Sequence, residues 1–212
     1  MTNAAAAGEN QPQADDAQSG LVYNEYLTTV GQFPNMFSPE ECCRLVGLPL
    51  STTEALVEVR DVSDPHATAR SQLVYGTRRT RIKPIPPAPE NAWVFDRLRG
   101  LATRANQEAF RFRITDLMSV DVLEYGRNGF FDWHVDIGPD IFSTRKLTLV
   151  TALTAPGDYE GGDLKFADGG EPVRLALGTT AIFPSYLLHK VEPVTRGMRH
   201  TLVAWVHGPS FS

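Results

Sequence analysis

The chain has 212 residues, of which 42% are hydrophobic and 21% charged, with a mean hydropathy of −0.21. That composition suits one globular domain and excludes collagen-like, coiled-coil and wholly disordered chains. A net charge of −5 argues against nonspecific nucleic-acid binding, which needs a basic surface. The longest uncharged run, 175–188, is interrupted by Gly178 and Pro184, so no membrane span is expected.

In chain order, residues 1–20 are Ala, Gln, Asp, Gly and Ser with hardly a large apolar side chain, and are expected to be a disordered tail. They lack the basic and apolar stretches of a secretory signal, which points to a cytoplasmic address. Ser38-Pro39-Glu40-Glu41 is a helix start: Ser38 caps, Pro39 suits the first turn and Glu41 completes a capping box, with Gly47 as the stop. The adjacent Cys42 and Cys43 cannot easily reach disulfide geometry, and are read as a half-buried pair of reduced thiols on that helix. Residues 60–113 carry a net charge of +6 against −7 for 1–59. Arg78, Arg79, Arg81 and Lys83 within it form either a solvated face or a guanidinium group aimed at an anionic substrate. A stiff Pro-rich loop at 84–89 leads into a second helix near Asn91, with Val94, Leu98, Leu101 and Ala105 at helical spacing.

From Thr115 onward short strands are expected at 117–125, 146–153, 163–166, 172–177, 180–183, 186–194 and 199–206, separated by Gly- and Pro-containing turns. Such spacing argues for a sandwich or barrel. Three elements of this half carry chemistry. In an extended segment His134 and Asp136 project to one side, while Trp133 and Val135 point away; they are either a structural His–Asp pair or two ligands for a divalent metal. His189 would complete two imidazoles and one carboxylate, a facial set that leaves coordination positions open and marks non-haem Fe(II) sites. Arg199 shares a strand face with Thr201 and Val203, and a guanidinium beside a hydroxyl suits a carboxylate, unless it is simply a surface arginine on an edge strand.

The stretch from about Arg70 to Val206 resembles the Fe(II)- and 2-oxoglutarate-dependent oxygenases, in the prolyl-4-hydroxylase-like branch that includes the bacterial PKHD-type hydroxylases. The resemblance rests on Tyr125-Gly126, Gly129-Phe130, His134-x-Asp136, Leu147-Thr148, Tyr159-x-Gly161-Gly162-Asp163-Leu164, Phe183-Pro184-Ser185, Leu188-His189-x-Val191-x-Pro193-Val194 and Arg196-Gly197-x-Arg199. It implies a mainly β fold with supporting α: a double-stranded β-helix (jelly-roll, cupin-like) core over 115–208, braced by helices of an N-terminal part, 21–114, that also supplies substrate loops. It implies His134, Asp136 and His189 as iron ligands, Arg199 as partner of the distal carboxylate of 2-oxoglutarate, and Thr201 and Tyr125 as further donors to it. Arg145, Arg79 and Arg81 are candidates for the substrate side; Arg145 either faces the mouth of the site or is a solvated strand end.

The implied cofactors are Fe(II), 2-oxoglutarate and O2, with ascorbate as an in vitro reductant. The implied reaction hydroxylates a C–H bond of an amino acid, free, peptidyl or in a small biosynthetic intermediate, and releases succinate and CO2. A small-molecule or peptide partner is expected, with no nucleic acid and no membrane. The carboxylate at Asp136 favours hydroxylation over halogenation, and Trp205 stands where nucleic-acid demethylases of the superfamily carry a second arginine. A prolyl hydroxylase of a protein partner and a metal-holding sensor without turnover are the alternatives.

Overall fold

The computed structural model describes residues 24–55, 57–59, 70–72 and 76–211. The tail expected at 1–20 and part of the basic segment lie outside these residues. In chain order the described elements are β1 (Gly31–Phe33), α1 (Pro39–Val46), β2 (Thr53–Glu54), β3 (Val57–Val59), β4 (Arg70–Gln72), β5 (Arg78–Arg79), β6 (Arg81–Pro84) and α2 (Ala92–Ala105). They continue with β7 (Leu117–Tyr125), β8 (Phe130–His134), β9 (Arg145–Ala152), β10 (Tyr159–Gly161), β11 (Leu164–Phe166), β12 (Thr180–Pro184), β13 (His189–Val191), β14 (Val194–Gly197) and β15 (Arg199–His207).

The major sheet runs β1-β12-β9-β15-β7-β6-β2, the minor sheet β11-β13-β8-β5, and every pairing is antiparallel. The two sheets face one another as a double-stranded β-helix, and β10-β14 forms a separate two-stranded pair.

Alternation along the long strands sorts the side chains into two layers. Val120, Val122, Leu147, Leu149, Leu202 and Ala204 point outward and meet α2 through Val94, Leu98, Leu101 and Ala105 in one continuous core. Each Val and Leu of this layer contributes roughly 1.5–3 kcal/mol when fully buried, which is why this helix sits flat on the sheet. Helix α1 begins with the expected capping box: Ser38 Oγ accepts from Glu41 N at 3.2 Å, and Glu41 Oε2 accepts from Ser38 N at 2.9 Å. Glu41 also pairs with Arg97 of α2, tying the two helices together. Cys42 is fully buried and Cys43 exposed, and both thiols are free. The opposite face of the major sheet, carrying Leu123, Tyr125, Val150 and Val203, packs against Leu164, Phe166 and Val191 of the minor sheet. The functional side chains emerge between the sheets on this inner face.

The structure departs from the expected strands in three places. Residues 172–177 do not form a strand: Val173 makes one bridge to Leu164, and the chain then runs past the sheet. Its alternating Val173, Leu175 and Leu177 reflect side-chain burial, not backbone pairing, because β11 offers only a three-residue edge. The expected strand 186–194 is divided into β13 and β14 by Pro193, which has no N–H to give a ladder. The short strands β1, β2, β5 and β6 carry too few residues for a period to be visible in sequence.

Candidate metal centre and adjoining cavity

His134 ends β8 and pairs in register with His189, the first residue of β13. Strand pairing therefore brings together two imidazoles 55 positions apart, with ring centroids 4.2 Å from one another. Asp136 lies just past the end of β8, where the chain bends, and its N–H donates to Ser185 O at 2.8 Å. Trp133 and Val135 are exposed to 43% and 39%, so the expected alternation of this segment persists beyond the last ladder residue.

His134 Nε2 is 3.7 Å from Asp136 Oδ1, and His189 Nε2 is 3.8 Å from Asp136 Oδ2. One ligand atom from each residue falls within 4.8 Å of the others. Each imidazole uses its remaining nitrogen in the same way: His134 Nδ1 is 2.7 Å from Asp132 O and His189 Nδ1 is 2.8 Å from Leu187 O. A carbonyl only accepts, so Nδ1 carries the proton in both rings and Nε2 presents its lone pair to the centre. Phe131 stacks on His134 at 3.5 Å between centroids, and Phe183 abuts His189 at 5.0 Å.

This apolar packing has an electrostatic consequence. Burial, with His189 adding to it, pushes the His134 imidazole down to about 4. Burial alone would raise the Asp136 carboxyl, but the two imidazoles and the Thr148 hydroxyl outweigh it and hold it below the usual carboxylate range. Imidazole nitrogens beside an ionised carboxylate form a donor set for a divalent first-row cation, and three ligands on one face leave positions open for further ligands.

The three ligands line a cavity of about 430 Å³ between the sheets. Arg199, Thr201 and Tyr125 line it too, Arg199 and Tyr125 facing each other across β15 and β7, with the guanidinium 5.1 Å from the Tyr125 ring. Arg199 and Thr201 are 5% and 2% exposed. Arg199 Nη1 and Thr201 Oγ1 are nonetheless buried with no hydrogen-bond partner among the described residues. Leaving such groups unsatisfied is costly. Two orphaned donors on one strand face, in the same cavity as the triad, fit the distal carboxylate of a keto-diacid whose other end reaches the metal.

Arg145 also lines this cavity, at the start of β9; Nη1 donates to Asp136 O at 3.1 Å and the guanidinium covers the Trp205 ring at 4.0 Å. Arg79 and Arg81 do not line it. Arg81 instead reaches Glu124 at 3.3 Å, and both arginines border a second, smaller cavity of about 230 Å³. The reason is parity: β5 is set by its pairing with β8, so Arg78 reaches the metal cavity as well as bordering the second one, while Arg79 borders only the second. Arg78, part of the basic run but not singled out from sequence, therefore enters the cavity, with its guanidinium 4.3 Å over Phe131. Thr148 was also missed as a contributor: it holds Asp136 through a 2.6 Å hydrogen bond.

Comparison with known proteins agrees with this geometry. Residues 120–207, which span the triad and Arg199, match the profile described as the 2OG-Fe(II) oxygenase superfamily. A PKHD-type hydroxylase of Synechococcus sp. (strain JA-2-3B'a(2-13)) is 46% identical over 62 residues, which is 28% of this chain and 28% of that protein. The chain thus matches less than a third of that relative's length. Among solved structures, a Pseudomonas putida prolyl-4-hydroxylase superposes with a TM-score of 0.62 at 20% identity, covering 86% of this chain and 94% of the other. The viral collagen prolyl hydroxylase of Paramecium Bursaria Chlorella virus-1 gives 0.57 at 18% identity, covering 85% and 96%. Both likenesses establish the shared fold. Over residues 120–207, which hold the triad and Arg199, the chain is thus similar to the 2OG-Fe(II) oxygenase superfamily and, within it, to PKHD-type hydroxylases.

Proposed function

We propose that the protein is an Fe(II)- and 2-oxoglutarate-dependent hydroxylase acting on a C–H bond of an amino acid, free, within a peptide or in a small biosynthetic intermediate. The observation that carries this reading is the presence, in one cavity, of a His-Asp-His donor set and the orphaned donors Arg199 Nη1 and Thr201 Oγ1. His134, Asp136 and His189 would hold the iron. Arg199, with Thr201 and Tyr125 beside it, would hold the far carboxylate of 2-oxoglutarate. When bound, iron, O2 and 2-oxoglutarate supply the oxidising chemistry, with succinate and CO2 as coproducts.

The residues of this chain orient and shield that chemistry. Thr148 and the Asp136 N–H bond to Ser185 fix the carboxylate ligand, while the Nδ1 bonds to Asp132 and Leu187 fix the imidazoles. Phe131, Phe166 and Phe183 exclude water from the buried side of the centre. Among the described residues no helix is long and apolar enough to cross a membrane. The free thiols of Cys42 and Cys43 suit a reducing, cytoplasmic compartment.

The test is to incubate the protein with Fe(II), ascorbate, O2, 2-oxoglutarate and a panel of amino acids and peptides, with succinate quantified by NMR. Substrate-stimulated succinate, lost in His189→Ala, is expected. No stimulation by any member of a broad panel would count against the reading. Binding of 2-oxoglutarate without any succinate would favour a sensing module.

A second reading, hydroxylation of a prolyl residue in a protein partner, draws support from the exposed apolar side chains Trp133, Val135 and Leu188, which neighbour the metal ligands in sequence. Mass spectrometry of captured partners for a +16 Da proline would distinguish it.

A further inference from the structure

The Arg199 end of the cavity accounts for one set of unsatisfied donors, but not for a second set. Arg78 Nε and Trp205 Nε1 are also buried without a hydrogen-bond partner among the described residues, and both side chains line the same cavity. Arg78 has no ion pair within 4.0 Å among the described residues; its neighbour is the face of Phe131. Arg145, over Phe142 at 4.4 Å and Trp205 at 4.0 Å, adds a second guanidinium to this part of the wall. The acid of this region, Asp121 on β7, lies beside Val203 in the pairing with β15. Burial raises its carboxyl, while Arg145 and Arg78 pull the other way.

The charges of the wall can be balanced. With iron and 2-oxoglutarate bound, the divalent cation and the dianion cancel, as do Arg199 and Asp136. Asp121 offsets one further guanidinium, and Arg78, which has no ion pair among the described residues, keeps its positive charge without an anion in a partly desolvated cavity. A buried guanidinium without an anion is unfavourable, and its planar fork matches a carboxylate.

We infer that Arg78, with Arg145 and the indole N–H of Trp205, forms a substrate-carboxylate subsite, so that the hydroxylated molecule presents a free carboxylate to this wall: a free amino acid or the C-terminal residue of a peptide, not an internal peptide residue. The inference rests on the oxygenase reading and narrows its substrate class. Parity places Arg78 here: the β5–β8 register that pairs Arg78 with Phe131 aims this one arginine of the basic run inward.

The experiment uses the full chain loaded with Zn(II) and saturating 2-oxoglutarate, so that binding is read without turnover. Saturation-transfer NMR measures the affinities of l-proline, l-leucine and N-acetyl-l-proline against their carboxamides. At least one acid is expected to bind tenfold or more tightly than its amide. Arg78→Gln should erase that preference, Arg78→Lys should restore part of it, and the 2-oxoglutarate affinity should stay within twofold in both.

Equal or tighter binding of the amides overturns the inference, as does the absence of detectable binding by every acid. A tenfold loss of 2-oxoglutarate affinity in Arg78→Gln overturns it as well, because Arg78 would then belong to the cosubstrate end. Failure of the oxygenase reading would show separately, as an absence of 2-oxoglutarate binding to the unaltered protein.

Discussion

Thr148 Oγ1 lies 2.6 Å from Asp136 Oδ2 and 3.0 Å from Ser185 Oγ, so a single hydroxyl on β9 links the carboxylate beyond β8 to the turn that follows β12. The bond ties the segment beyond β8 to β9 and to the end of β12, two strands that already pair with one another. It also fixes the rotation of the carboxylate, leaving Oδ1 toward His134.

Thr148→Val keeps the shape and removes only this bond. Outer-shell partners of metal ligands are typically worth about 10–100-fold in affinity. The variant should bind Fe(II) or Co(II) at least tenfold more weakly, with a melting temperature in the metal-free state within a few degrees of the parent. Titration with Co(II), followed by its visible absorption, measures this. Unchanged affinity would show that the bend after β8 positions Asp136 unaided.

Replacing Arg199 should separate cosubstrate binding from metal binding. Truncating one partner of a buried hydrogen-bonded charge pair costs about 2–5 kcal/mol. Arg199→Met should therefore weaken 2-oxoglutarate binding by about thirtyfold or more, with metal affinity unchanged. Thr201→Val, which removes a neutral donor, should cost about five- to tenfold. Calorimetric titration of 2-oxoglutarate into the Zn(II)-loaded variants reads both, and equal affinities in parent and Arg199→Met would remove this arginine from the cosubstrate site.

Much of this was legible in the sequence because the relevant signals are local. The capping box at Ser38, the helical spacing from Val94 to Ala105, and the long strands β7, β9 and β15 each repeat a period over enough residues to be read. The triad was legible as a pattern of residue types whose meeting depends on a single register, His134 opposite His189. Arg78 was harder to choose: four basic residues in six positions look alike until the pairing of β5 with β8 decides which points inward. Thr148 entered only as part of the Leu147-Thr148 match and its role gave no signal, since a threonine in a strand is ordinary and that role depends on where a distant loop places Asp136. The expected strand at 172–177 failed for the converse reason: alternation records which side chains are buried and says nothing of whether a neighbouring backbone is free to pair.

The two cysteines should differ sharply in reactivity. Cys42 is fully buried against α2 and the sheet, and burial, with the adjacent Cys43 adding to it, pushes its thiol up to about 11; Cys43 is exposed. At pH 8 the folded protein should release one equivalent of thionitrobenzoate from Ellman's reagent promptly, and a second only on unfolding. The raised value favours the protonated thiol in the folded state. Its contribution to stability is therefore fully present below the ordinary thiol range of about 8.5 and is lost as pH rises through about 11. Denaturant midpoints measured from pH 8 to 11 should fall more for the parent than for Cys42→Ala.

The turn Gly161-Gly162 should couple stability to cosubstrate affinity. Both glycines have positive φ, +72° and +67°. At Gly162 an added Cβ would stand 2.8 Å from Arg199 Cδ and 2.9 Å from Val194 Cγ2. An alanine there is disfavoured by about 1–2 kcal/mol for the left-handed backbone alone, and it must also push the aliphatic stem of Arg199 aside. Gly162→Ala should therefore lower the melting temperature and, at a temperature where it remains folded, bind 2-oxoglutarate several-fold more weakly. Gly157→Ala is the matched control, because an added Cβ there meets nothing within 4 Å; it should change neither quantity. If Gly162→Ala lost stability but kept the parental 2-oxoglutarate affinity, the turn would serve only the pairing of β10 with β14. If both change together, the narrow gap between this turn and the arginine is what aims the guanidinium along the cavity.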